Sequence, residues 1–398
     1  MVCLIRDEIE RTGPMTFAHF MDLALYHPTY GYYTRLSSDP DHEDIGERIG
    51  WNGDYYTSSD VHGAIGWALA KQLAQMDEVL GHPSPFTVVE MGAGKGLLAR
   101  DILTCWSERY KDLFARGSYV LVDRSPVHRR VQQENLAEWV SVPGKVVWAE
   151  DLTSLGEESV TGVLLSNELV DAFPVHRVRM RQGRLEELYV SLSQDRFQET
   201  PGPLSTPALS DYFSRAGITL PEDACAEVNL VAVSWMREIA RVLGRGYVIT
   251  IDYGHAAHDL YGPDRRQGTL LGYYRHMIAE NPLIRVGEQD LTSHVDFTTL
   301  AQVGREAGLD LTGFTNQMSF LISLGVESFL ESLEPGSPEF QAIVQLLRPE
   351  GMGRTFKLLI QQKGVEATSG QRLEGLNHQP FFGSILQPSI GFGGAIAR

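Results

Sequence analysis

Apolar residues along this chain shift from helical spacing to short unbroken runs, and the shifts predict its elements. Phe17, Phe20, Met21 and Leu25 recur at three- and four-residue steps, one face of a helix that the His27-Pro28 pair ends. Tyr26, Tyr30, Tyr32 and Tyr33 gather around Gly31, and the polar stretch 37–50 reads as a mobile loop. A second helix is expected from about 59 to 80, with Ser59 or Asp60 at its N-cap. From residue 86 the chain alternates apolar runs with helical segments; the runs fall near 86–89, 119–122, 145–149, 160–166 and 246–251. Strands buried on both faces and joined by helices indicate a doubly wound α/β sheet. Segments 309–314 and 354–361 are the candidates for its last two strands, the second with alternating apolar positions.

Three stretches break this rhythm. Segments 175–181 and 184–192 flank Gln182-Gly183 and read as a hairpin. Segment 255–298 has little periodicity and many His and Tyr, as a lid or an insertion would. From about 365 the tail, with scattered Gly, Ser and Pro, is expected to be poorly ordered or a surface strap. The resulting division is a helical N-terminal cap region at 1–85, a core at 86–364 with insertions at about 175–230 and 255–298, and a tail at 365–398.

The richest chemistry lies where the first core strand ends: Glu90-Met-Gly92-Ala93-Gly94-Lys-Gly96 is an acid, a glycine-rich turn and a helix start. Glycines there let the backbone approach a ligand and adopt positive φ. The spacing G-x-G-x-G is one residue shorter than the dinucleotide fingerprint, and Lys95 is followed by Gly96 instead of the Ser or Thr of a P-loop. A carboxylate at Glu90 would repel a polyphosphate in a partly dry cleft, whereas it suits a cationic ligand. S-adenosylmethionine carries a sulfonium and an ammonium and no phosphate. Asp123, at the end of the second strand, is placed for ribose hydroxyls, and Asp151 with Leu152, after the third, for the adenine.

Bulk properties narrow the partners. A formal net charge of −17 over 398 residues argues against nucleic acid. The acidic surface tolerates a basic partner or serves solubility alone. Cys3, Cys105 and Cys225 lack metal-ligand spacing and are expected as reduced thiols in a cytosol, and no metal is expected. Acids within the first ten residues tell against a signal peptide or Arg-rich presequence, and no run of about 18 apolar residues predicts a membrane span.

Taken in order, Gly13-Pro-Met-Thr-Phe-Ala-His-Phe-Met, Tyr26-His-Pro-Thr-Tyr-Gly-Tyr-Tyr, Gly53-Asp-Tyr-Tyr-Thr-Ser, the glycine turn, Asn167-Glu-Leu-Val-Asp-Ala-Phe-Pro and Asp290-Leu-Thr-Ser-His-Val-Asp-Phe resemble one family. It is the family of the mitochondrial complex I assembly factor, a protein arginine methyltransferase with many bacterial relatives. The resemblance implies a class I methyltransferase: a Rossmann-like seven-stranded sheet with a helical N-terminal region and an inserted α+β subdomain. It also implies S-adenosylmethionine as cofactor and symmetric dimethylation of an arginine on a partner protein, in that family a respiratory complex subunit. Two departures stand out. Asp123 replaces a more usual Glu, and Leu169 and Val170 replace aromatics, so a less aromatic substrate pocket is expected.

In class I methyltransferases the turn after the fourth strand faces the methyl group, which places chemistry at Asn167, Glu168 and Asp171. A carboxylate pair, Glu168 and Asp171, suits a planar guanidinium, and His294 could relay the proton. Gly53, Asp54, Tyr55, Thr57 and Ser58 are assigned as a cover over the cofactor's methionine end. Blander roles stay open: Asn167-Glu168 as a helix cap, Asp171 as a turn residue, His294 as a structural histidine oriented by Asp296. Two rival functions also stay open. A small-molecule O- or N-methyltransferase requires a closed apolar pocket under 255–298, and a non-catalytic assembly chaperone requires donor binding without turnover. The insertions could serve a homodimer or a partner protein.

Overall fold

The computed structural model describes residues 1–35, 57–275, 277–331, 333–366, 372–380, 383 and 385. Its main sheet is built from the predicted apolar runs: β1 (Phe86–Met91), β2 (Gly117–Val122), β3 (Val146–Ala149), β4 (Val160–Asn167), β5 (Leu243–His255), β6 (Asp310–Asn316) and β7 (Phe356–Lys363). The order is β6-β7-β5-β4-β1-β2-β3. β1 to β5 are parallel, and β7 runs antiparallel between β5 and β6. The two-residue strand Val295–Asp296 adds to the end of β5. Successive strands step outward from β1 in one direction as β2 and β3 and in the other as β4 and β5. That reversal opens a crevice beyond the carboxyl ends of β1 and β4.

Both faces of the sheet are covered, which is why the strands read as unbroken apolar runs. Val88, Leu121, Val163, Leu165 and Ile249 pack under one layer of helices, and Val89, Val122, Leu164 and Val248 under the other. The first layer includes α4 (Ala64–Val79) and α5 (Leu97–Arg109); the second includes α6 (Leu230–Val242) and α7 (Phe297–Glu306).

N-terminal to these lie α1 (Val2–Thr12), α2 (Phe17–Tyr26) and the single turn α3 (Ser58–Val61). Phe17, Phe20, Met21 and Leu25 form the expected buried face of α2, which ends at His27. The helix expected over 59–80 is interrupted: His62 is extended and Gly63 restarts it as α4, with Thr57 as N-cap of α3 in a capping box with Asp60. Gly63 and Gly66 let this segment pack closely on α5, since a Cβ on either would stand 2.9 or 2.5 Å from Asp101.

A second, antiparallel sheet contains the expected hairpin, His176–Arg181 and Arg184–Ser193, turned by Gln182 and Gly183 with φ of 51° and 68°. Arg196–Gly202 and Cys225–Val228 complete the insertion's share, and the N-terminal pair Met15–Thr16 joins its edge, Met15 opposite Val190. A third core links Ile5, Phe17 and Phe20 to Val175, Val190 and Leu291, so the N-terminal region and both insertions are packed together. Segment 255–298 holds a small sheet of its own, Leu271–Tyr274, Met277–Ala279 and Asp290–Thr292; strands of three or four residues are too short to show a period.

The expected 37–50 loop and Gly53, Asp54 and Tyr55 lie outside the described residues. In the tail, residues 372–380 form a strap: the Gly375 N–H donates to Gln72 Oε1 (2.9 Å) and the Phe314 N–H to Gln379 Oε1 (3.0 Å). Cys3, Cys105 and Cys225 are all free. Among the described residues no helix is long and apolar enough to cross a membrane, and no group of His, Cys, Asp or Glu could hold a metal.

Two glycines let β5, β4 and β1 close on one another. Gly246 and Gly162 have φ of +139° and +143°, and a Cβ on Gly246 would fall 1.9 Å from the Gly162 carbonyl oxygen. Gly246→Ala is expected to destabilise the chain by about 2–4 kcal/mol. Denaturant titration checks this, and a loss below about 0.5 kcal/mol, the range of a neutral surface change, contradicts it.

Candidate active site

A cavity of about 500 Å³ occupies the crevice beyond β1, β2 and β4, within the size range of small-molecule sites. Its floor is the glycine turn. Gly92, Gly94 and Gly96 all have left-handed φ, 68°, 52° and 75°. A Cβ on Gly92 would stand 2.7 Å from Leu169 Cδ1, while one on Gly94 would meet nothing within 4 Å, so the backbone there faces open space. Gly92, Ala93 and Gly94 line the cavity; Gly96 instead starts α5, packed on Gln132 and Leu136.

Acids surround this floor. Glu90, buried at the end of β1, accepts the Tyr119 hydroxyl (2.6 Å), and burial pushes its pKa up to about 7. Asp123 takes the Ser125 N–H on Oδ1 (2.9 Å) and Gln132 Nε2 on Oδ2 (2.9 Å), with His128 Nδ1 3.3 Å away. Gln132 also donates to the Gly94 carbonyl (2.9 Å), tying the turn to the second acid. Asp151 caps the 3-10 turn Leu152–Ser154; hydrogen bonds from Thr153 and Ser154 hold its pKa below the usual range.

At the end of β4, Glu168 has φ of 54°, a region a non-glycine residue rarely occupies. Its Oε1 accepts the Ser58 N–H (2.8 Å) and Asn167 Nδ2 (3.3 Å). Among the described residues its Oε2 accepts nothing, and burial raises its pKa to about 8. Asn167 also lines the cavity, and its Oδ1 is buried without a partner.

The other predicted catalytic residues sit elsewhere. Asp171 does not line the cavity. It lies behind the turn, takes the Tyr253 hydroxyl on Oδ2, and keeps Oδ1 buried and unpartnered; burial raises its pKa. Glu168 and Asp171 therefore do not make a carboxylate pair facing one ligand. Next to it Asp252 accepts four backbone N–H groups, yet burial, with Asp171 and Glu168 nearby, holds its pKa well above the carboxylate range. Among the described residues Glu168, Asp171 and Asp252 have no Lys or Arg ion-pair partner.

His294 is not on the cavity either. The pairing of Val295 with the end of β5 fixes it behind Tyr253, ring centroids 5.4 Å apart, and burial lowers its pKa to about 4. Asp296 does not orient it; that carboxylate caps α7 through Thr299. Thr57 lines the cavity, whereas Ser58 does not: its N–H goes to Glu168 and its hydroxyl donates to Gln317 (3.1 Å). Asp60 pairs with Lys95, joining α3 to the glycine turn.

The aromatic wall comes from residues to which the sequence assigned no role. Tyr26 and Tyr33 are stacked, centroids 5.5 Å apart, and Phe173 meets Trp235 of α6 edge-on at 5.7 Å; all four line the cavity. The expectation of a less aromatic pocket is thus corrected: Leu169 and Val170 are aliphatic, but rings arrive from other elements. The tyrosine cluster after α2 was the available signal; for Trp235 there was none.

These features fit S-adenosylmethionine. Open space lies above Gly94, an orphaned acceptor sits at Asn167, and a buried carboxylate at Glu90 stands where a phosphate would be repelled. Glu90, Gly92, Ala93, Gly94, Asp123, Asp151, Leu152 and Asn167 are the residues that would hold it.

The model of a family described as "Putative S-adenosyl-L-methionine-dependent methyltransferase" matches residues 68–315. The mitochondrial protein arginine methyltransferase NDUFAF7 homolog of Drosophila melanogaster is 28% identical, over 91% of this chain and 85% of its own. The Rattus norvegicus protein arginine methyltransferase NDUFAF7, also mitochondrial, is 28% identical over 88% and 81%. A Burkholderia thailandensis protein solved with S-adenosyl-homocysteine bound superposes with a TM-score of 0.83 and 28% identity, covering 95% of this chain and 94% of that one. With the glycine turn and the acids around it inside the matched stretch, this chain belongs to that family and is an S-adenosylmethionine-dependent methyltransferase.

Proposed function

We propose that this enzyme methylates an arginine side chain of a partner protein. The observation that carries the reading is Glu168: a half-buried carboxylate on the cavity whose Oε2 meets no donor among the described residues, with Asp171 in the same turn, Asp252 on the next strand and, among the described residues, no Lys or Arg paired with any of the three. Such an arrangement is stabilised by a cation brought from outside, and guanidinium is planar, permanently charged and able to give parallel hydrogen bonds. The names of the Drosophila and rat relatives support the same acceptor.

Bound S-adenosylmethionine supplies an electrophilic methyl group on its sulfonium. The chain's residues do the rest by positioning and electrostatics. Glu168 Oε2 receives the guanidinium and draws its positive charge away from the attacking nitrogen. Tyr26, Tyr33, Phe173 and Trp235 offer ring faces and edges to a flat cation. Methylation makes the guanidinium nitrogen more acidic, and Glu168, with its raised pKa, is the base placed to take the released proton. Asp22, Tyr26, Tyr33 and Thr34 on the cavity wall support a cap role for the N-terminal region.

A small-molecule acceptor is less well supported. A crevice beneath 255–298, lined by Cys225, Glu227, Thr269 and His294, measures about 10 Å³, room for a single water. Three free thiols support a reducing compartment.

Glu168→Gln is expected to lower kcat/KM for an arginine-bearing acceptor by about 10²-fold or more while donor affinity stays within about threefold. Steady-state kinetics with calorimetry on S-adenosylhomocysteine checks both, and full activity in the variant sinks the role. Ionised Glu168 is the form that binds the acceptor, and it is scarce below its raised pKa. With donor saturating, kcat/KM should therefore climb with pH and level above the pKa of Glu168, which the bound sulfonium draws below the about 8 of the ligand-free chain. A profile flat from pH 6 to 9 contradicts this. Glu90→Gln should weaken donor binding by about tenfold or more; unchanged affinity removes Glu90 from the donor site.

A further inference from the structure

We infer that Asp252 is a positioning residue for methyl transfer: its carboxylate grips the backbone of the turn after β4 and so aims Glu168 into the cavity. The inference rests on the reading of Glu168 as the group that receives the acceptor.

Asp252 is fully buried, one residue past the last rung that β5 shares with β4, Ile251 opposite Asn167. Its Oδ2 accepts three successive backbone N–H groups, from Leu169 (3.2 Å), Val170 (2.9 Å) and Asp171 (3.3 Å). Oδ1 takes the N–H of Tyr253 (2.9 Å), which holds the carboxylate to its own strand. The Glu168 N–H closes the junction by donating to the Ile251 carbonyl (2.9 Å).

The turn needs such a grip. Parallel pairing ends at Asn167, Glu168 takes a left-handed φ, and the next three amides begin a short 3-10 turn, Val170–Ala172, whose first N–H groups have no partner within it. Buried amides left unsatisfied would pull the turn open. A helix N-cap from the adjacent residue normally meets this need; here the capping side chain comes from the next strand of the sheet. Rotation of Glu168 out of its left-handed setting would part Oε1 from the Ser58 N–H and withdraw Oε2 from the cavity. Asp252 does not line the cavity, so it acts only through the turn.

The test compares Asp252→Asn, Glu168→Gln and the double variant in the full chain. Amide exchange in the peptide spanning 166–174 should accelerate about tenfold or more in Asp252→Asn and stay unchanged in Glu168→Gln, with β1 and β5 amides protected in both. Methyl transfer to arginine should fall about 10- to 100-fold in Asp252→Asn, with S-adenosylhomocysteine affinity within about twofold. The double variant should be no slower than Glu168→Gln alone, because one loss acts through the other. Unchanged exchange at 166–174, or losses that multiply, overturns the inference. If the unsubstituted enzyme labels no arginine, the acceptor reading fails, and the exchange comparison still decides what Asp252 does. If Asp252→Asn does not fold, exchange in the unsubstituted chain decides: Val170 and Asp171 amides as slow as β-strand amides support the grip, and loop-like rates overturn it.

Discussion

Carboxylates buried without a base beside them are the constraint on which this structure turns. Glu90, Asp171 and Asp252, all buried, and the half-buried Glu168 cluster at the carboxyl ends of three parallel strands, and among the described residues none forms an ion pair with Lys or Arg. Burial raises the pKa of each, so in the ligand-free chain they resist full ionisation. Two cations, a sulfonium donor and a guanidinium acceptor, are what such a site lacks. Binding energy is then available for holding the reacting groups in line, where most of the rate enhancement of a methyl transfer resides.

The scaffold makes that cluster tolerable. Strand order reverses at β1 and β4, so their ends splay, and glycines rather than side chains fill the gap. Gly162 and Gly246 bring three strands into close register, and the Lys95–Asp60 pair ties the glycine turn to α3. The N-terminal region, which donates a strand to the insertion's sheet, brings Tyr26 and Tyr33 to the cavity wall. The floor and the aromatic wall of the cavity are thus contributed by segments far apart in the chain.

That separation explains what could be read from the amino-acid order. Strands, glycine turn and the place of Glu90, Asp123 and Asp151 on the cavity were legible because each belongs to a local pattern: an apolar run that ends at a glycine turn or an acid. The close approach of Gly63 and Gly66 to Asp101 was missed because Asp101 lies on another helix. Asp171 and His294 carried suitable chemistry at suitable positions in the chain, but direction decides a side chain's role, and both point behind the turn toward Tyr253. Asp252 had no role assigned from the sequence. Its three amide partners are 81 to 83 residues away, and no spacing rule reaches across a crossover of that length.

Transfer of labelled methyl from S-adenosylmethionine into proteins of the source cell, followed by amino-acid analysis, tests the central claim most directly. Label is expected in dimethylarginine of a discrete protein, lost with Glu168→Gln. Label confined to small molecules, or carried on another amino acid, would contradict it.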